Sequence, residues 1–142
     1  MRGFCYILVG YLAVHKRRIQ EGDIVFIHDC PLPDKEGTSP HRAVYLEARG
    51  NVAVLCGITS SSFNQENDID KISLPWGPHA KTGLDKESHV LPRWVILTPV
   101  GELDTFPYKG FVRRVTLDQL KQRCFDRMEG NAARILKHRS FG

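Results

Sequence analysis

The sequence predicts a mainly β domain with a C-terminal helix, an α+β chain whose short strands close into a small, strongly curved antiparallel barrel. Three observations carry this. Short apolar runs, such as those at 24–27 and 52–59, recur between turn-forming clusters. Helical periodicity starts only after Thr116. The order is strands first and helix last, and 142 residues suffice for one core of that kind.

Residues 1–20 read as an N-terminal extension to a single domain over 21–142. The stretch MRGFCYILVGYLAVHKRR carries one early positive charge and then eleven largely apolar residues, 4–14. A signal peptide would need a small-residue cleavage site where His15-Lys16-Arg17-Arg18 stands. Eleven residues are also too few to span a bilayer. A buried strand or helix, or a segment packing on a partner, is the expectation, and no membrane partner is expected.

Gly22-Asp23 signals a turn, and 24–27 is a compact apolar run suited to a buried strand. Residues 30–40 hold three prolines and read as an irregular loop. A second strand follows at 41–48, with Arg42, Val44 and Leu46 on one face. Arg49-Gly50-Asn51 is a hairpin turn. The run 52–59 is apolar on both faces, which makes it a central strand. Its Gly57 leaves room on the face that ends in Thr59, for a neighbour or a ligand.

Further along, 60–69 is a polar loop, 71–75 is a short strand stopped by Pro75, and 76–88 is a loop rich in turn formers. Residues 89–99 read as two strand pieces broken at Pro92, and 106–115 as one more short strand. A helix is predicted over 116–129, opened by a Thr116/Gln119 capping box and stopped by Gly130. Its apolar stripe is Leu117, Leu120, Cys124 and Met128. The basic stretch 132–140 reads as a further turn or helix.

Composition narrows the function classes. Hydrophobic content of 42% beside 25% charged residues belongs to a folded domain rather than a disordered tail. The net charge of +4 permits a polyanionic partner without demanding one. Cys5, Cys30, Cys56 and Cys124 form no Cys-x-x-Cys pair, and read as reduced, structural thiols of a cytoplasmic protein. His41 and Cys30 lack the repeated spacing of a zinc site, so no metal and no cofactor is expected.

Taken in order, EGDIVFI, HRAVYL, VAVLCGITSS, ISLP and HVLPRWVILTP resemble the MazF/PemK (Kid) toxins of type II toxin-antitoxin systems, over roughly 21–122. The resemblance implies an SH3-like, CcdB/MazF-like barrel with a C-terminal helix, usually a homodimer. It implies a sequence-specific, metal-independent endoribonuclease acting on single-stranded RNA. It also implies an antitoxin partner, expected to lay an acidic flexible segment across the basic groove. The family's essential Arg matches Arg42 and its essential Thr matches Thr59, with Ser60 at the neighbouring hydroxyl position. Two positions depart from the pattern: Ala43 follows the Arg where the family has Pro, and Arg93 stands where some members carry an acidic residue.

Metal-free RNA cleavage uses the substrate's own 2′-hydroxyl against the adjacent phosphate. Arg42 suits an electrostatic clamp on the phosphoryl oxygens, and Thr59 a second donor. Proton carriers would be His41 or His28, which flank one loop mouth; the guanidinium of Arg42 is a poor base. Trp76, in a Pro-Trp-Gly-Pro loop, and Arg93 are candidate substrate contacts, whereas Trp94 begins an apolar run and suits the core. Phe63 and Tyr108 are further stacking candidates. Each has a plainer reading: Arg42 as a snorkelling strand end, Thr59 bonding local backbone, His41 as a solvent-exposed loop residue. Two rival functions remain open at this point, a catalytically inactive nucleic-acid- or protein-binding module of the same fold, and a CcdB-like poison of DNA gyrase.

Overall fold

The computed structural model describes the backbone of residues 4–9 and 12–17 and all atoms of residues 18–60 and 69–141. The N-terminal extension holds β1 (Phe4–Val9) and β2 (Leu12–Arg17), an antiparallel pair forming a two-stranded sheet of its own. The strand alternative for this segment is therefore the one adopted.

The main sheet is built from β3 (Asp23–Pro31), β4 (Thr38–Arg49), β5 (Val52–Thr59), β6 (Ile72–Leu74), β7 (Ser88–Pro99) and β8 (Tyr108–Phe111). Their spatial order is β6-β7-β5-β4-β3-β8, each pair antiparallel. A last strand, β9 (Arg134–Lys137), adds to β7 in parallel. The helix α1 (Arg114–Glu129) precedes it. As its two apolar faces require, β5 lies inside the sheet between β4 and β7.

Strand alternation sends side chains into two cores, one on each face. Ile24, Val44, Val54, Cys56, Ile58 and Val95 pack with Leu117, Leu120 and Cys124 of α1. Val25, Ala43, Leu55, Trp94 and Ile96 pack on the other face with Leu103. The predicted helix stripe is thus the docking face, and Met128 extends it. Cys30, Cys56 and Cys124 are free and buried. Burial, with the Asp29 charge beside it, pushes the Cys30 thiol up to about 12, and bonding to Cys124 together with burial raises Cys56.

The sheet curls without closing into a barrel. Pro75 halts β6 after three residues, too few to reach and pair with β8. The connection from β6 to β7 bridges the gap instead. Phe111 N–H donates to the Lys81 carbonyl at 3.0 Å, and Gly110 lies so near Thr82 that a Cβ there would meet its carbonyl at 2.3 Å. The Thr82 hydroxyl staples the connection, donating to Pro75 O at 2.7 Å and accepting from Leu84 N–H at 3.3 Å.

Several local expectations are corrected. The loop expected at 30–40 is shorter, because Cys30 and Pro31 still pair with Ser39 and Thr38. Pro92 does not break its strand; β7 runs through, and the register shifts between Val90 and Val95 absorb the proline in a bulge. The Thr116/Gln119 capping box is not used. The chain is delivered by Val112 N–H bonding to Gly22 O at 2.9 Å, so the helix begins earlier, with Arg113 as an N-cap that makes no side-chain bond. Residues 134–137 form a strand rather than a turn or helix, because β7 offers them a free edge.

Candidate functional site

Arg42 sits opposite Phe26 across the β3–β4 pair, on the face that Val44 and Leu46 continue into the helix-side core. That core gives out at Ile58 and Leu84, and a cleft of about 390 Å³ opens beyond them. Phe26, Arg42, Ser60 and Ser88 contribute from the sheet ends, and Lys86 from the bridging connection. Two cations and no carboxylate line it among the described residues. Arg42 itself has no carboxylate partner among them, whereas Arg93, Arg114 and Arg127 are paired with Asp34, Asp118 and Asp70. The charge carried by the described lining is thus positive, which suits an anion.

The sequence-predicted residues do not all meet there. Arg42 and Ser60 do, and His41 borders the cleft beside Arg42. The His41 ring leans edge-on against Trp94, with centroids 5.2 Å apart at 72°. Its Nδ1–H donates to Ser39 O at 3.3 Å, which leaves Nε2 as the acceptor nitrogen. Thr59 is buried, 3% exposed, and alternation puts it on the face of Gly57 and Trp94, across the strand from His89. Of the two hydroxyl residues expected at the site, Thr59 and Ser60, Ser60 is therefore the one that lines the cleft.

His28 is exposed on β3, its ring 6.5 Å from that of Phe26, outside the cleft lining. Trp76 is 56% exposed on the bridging connection and also lies outside it. Arg93 grips Asp34 with both guanidinium nitrogens, at 3.0 and 3.2 Å, and so ties β7 to the loop after β3. The room expected over Gly57 is filled by the Trp94 indole: a Cβ on Gly57 would lie 2.1 Å from it. Phe63 falls outside the described residues.

Sequence reading missed Phe26, Lys86 and Ser88. Phe26 carries a usable signal, because it alternates with Ile24 onto the face of Arg42, although the uniformly apolar run 24–27 hides it. Lys86 and Ser88 carried none, since only the tertiary fold brings the bridging connection to the cleft.

Two buried histidines sit elsewhere. His89 is buried with no hydrogen bond to Nδ1; burial and then nearby Lys71 lower its pKa against the opposing pull of Glu87, so it is neutral at pH 7. His138 is buried too, with Nε2 2.7 Å from Asp29 Oδ1 and Nδ1 2.8 Å from Ser140 Oγ. Ser140 in turn lies 3.1 Å from Thr98 Oγ1, and Arg139 contacts Asp29. This network clasps the C-terminal segment to β3 and β7. Burial works to raise the Asp29 pKa, but the His138 hydrogen bond and charge, a backbone bond and Arg139 together hold it below the usual value.

No model of a known protein family matches the chain, and no curated protein matches it. Among the described residues no helix is long and apolar enough to cross a membrane.

Proposed function

We propose that the chain is a MazF/PemK-like toxin, a metal-independent endoribonuclease that cleaves single-stranded RNA in the cleft around Arg42. The observation that carries this reading is an arginine with no carboxylate partner among the described residues, set with Lys86 and Ser60 in a cleft whose described lining has no acid. On this reading the curled, open sheet is a CcdB/MazF-like variant of the SH3-like barrel, its last edge made by a connection instead of a strand. Buried, reduced thiols fit a cytoplasmic site of action.

The chemistry follows from those side chains. The scissile phosphate rests on the guanidinium, which donates two parallel hydrogen bonds to its non-bridging oxygens. As the 2′-oxygen attacks phosphorus, charge on those oxygens grows and both bonds strengthen; the Ser60 hydroxyl donates a third. The Lys86 ammonium is a proton donor for the departing 5′-oxygen. His41 Nε2, at the rim, is the acceptor for the 2′-hydroxyl proton. Loss of one such donor typically costs about 10²–10³ in rate. The products would be a 2′,3′-cyclic phosphate and a 5′-hydroxyl end, formed equally well in EDTA. A 2′-deoxy substitution at the scissile nucleotide should abolish cleavage, and cleavage that persists there would refute the 2′-hydroxyl route.

The partners proposed are a homodimeric second copy and an antitoxin whose acidic flexible segment competes with RNA for Arg42 and Lys86. One observation favours the rival of an inactive binding module: Thr59, the family's essential threonine by resemblance, is buried on the opposite face. In that case Arg42→Ala abolishes RNA binding while the wild type leaves RNA intact.

A further inference from the structure

We infer that Phe26 is a stacking platform for a nucleobase, holding the base next to the phosphate that Arg42 receives. The inference rests on the nucleic-acid reading of the cleft and adds the group that grips the base. Phe26 belongs to neither core, although it alternates with Ile24, which is fully buried. It is half-buried at the point where the helix-side core ends, and it lines the cleft with its cross-strand partner Arg42.

Among the described residues, no core cluster calls for an aromatic ring at that point. Its backbone is fixed, with Phe26 N–H donating to Pro107 O at 2.9 Å, so the ring is carried on a rigid strand. Lys109 Nζ lies 5.7 Å from the ring centroid, yet Lys109 does not line the cleft. The ring itself lines the cleft, which offers it to a flat partner there.

The combination is chemically selective. A phosphate alone would satisfy Arg42 and Lys86 but leave the apolar wall of Phe26, Ile58 and Leu84 in water. A nucleotide satisfies both, its phosphate on the cations and its base on the ring. Aromatic stacking of this kind accepts any base, because every base has a π face. A volume of about 390 Å³ falls within the range usual for small-ligand sites.

The test uses the full chain and two fluorescent probes of equal charge: a short single-stranded oligodeoxynucleotide, which has no 2′-hydroxyl to react, and the same backbone with abasic sites. The expected result is binding of the base-bearing probe about ten-fold tighter than the abasic one, a typical stacking contribution. Phe26→Leu should erase that gap, Phe26→Tyr should keep it, and Arg42→Ala should weaken both probes. A dispersed amide spectrum checks that each variant folds. Equal binding of the two probes by the wild type, or a gap that survives Phe26→Leu, overturns the inference. Failure of both probes to bind overturns it together with the anion site. If the probes behave as expected but RNA stays intact, the nuclease reading alone is lost.

Discussion

Gly57 and Trp94 pack so closely that no Cβ fits between them. Trp94 is the largest fully buried residue, its indole N–H donates to Pro31 O at 3.0 Å, and the ring lies flat on the bare backbone of Gly57. Neither partner can yield, since β5 is paired on both sides. Gly57→Ala should therefore destabilise the fold by about 1–3 kcal/mol or more, as overpacked cores do, and urea denaturation will measure it. Asp29 makes a second residue-level prediction. Its folded pKa lies below the unfolded value of 3.8, so its stabilising contribution is full above that value and is lost as pH falls through the folded pKa. Asp29→Asn should be less stable than wild type at pH 7, and the gap should narrow below about pH 4; a constant gap down to strongly acid pH would mean the clasp is not what Asp29 contributes. Arg42 and Arg93 show how one residue type divides its work. Arg93 spends its fork on Asp34, while Arg42 lines the cleft with no carboxylate partner among the described residues.

At the level of elements, α1 ends in a left-handed turn at Asn131, with φ 57°, and not at the glycine before it. Ala132 N–H bonds to Arg127 O at 2.8 Å and Asn131 N–H to Met128 O at 3.3 Å, the paired bonds of a Schellman turn. Asn131→Ala should cost about 1 kcal/mol through its Cβ in that conformation, and Asn131→Gly should cost nothing; thermal unfolding of both variants checks the sign. Helix α1 and strand β5 were legible in the sequence because their evidence is local. One shows a stripe at helical spacing, and the other is apolar on both faces between a Gly-Asn turn and a serine run. Strand β9 was not legible. Its four residues, Arg134 to Lys137, are mostly exposed, and only the open edge of β7 makes them a strand. The site divided in the same way. Arg42 and Ser60 announced themselves by position at strand ends, but Thr59 misled: the unshifted hairpin register would set it opposite Arg42, and the register shift between Tyr45 and Glu47 moves it to the other face. Lys86 had no sequence signal, because nothing local tells a loop which distant strand it will bridge.

The fold as an assembly explains why the cleft exists at all. An incompletely closed sheet leaves its helix-side core open at one end, and the connection from β6 to β7 both spans the gap and supplies Leu84 and Lys86 to the cleft. Gly110→Ala would press a Cβ onto Thr82. It should displace that connection and weaken nucleic-acid binding several-fold while leaving the α1 signal in circular dichroism intact. Stability and site are thus linked through one segment. The decisive measurement is incubation of a long single-stranded RNA with the purified protein in EDTA, beside Arg42→Ala, Ser60→Ala and Thr59→Ala. An RNA-cleaving cleft around Arg42 predicts discrete fragments from the wild type, none from Arg42→Ala, strongly reduced yield from Ser60→Ala, and cleavage by any Thr59→Ala protein that remains folded. Intact RNA with the wild type, or full cleavage by Arg42→Ala, would contradict it.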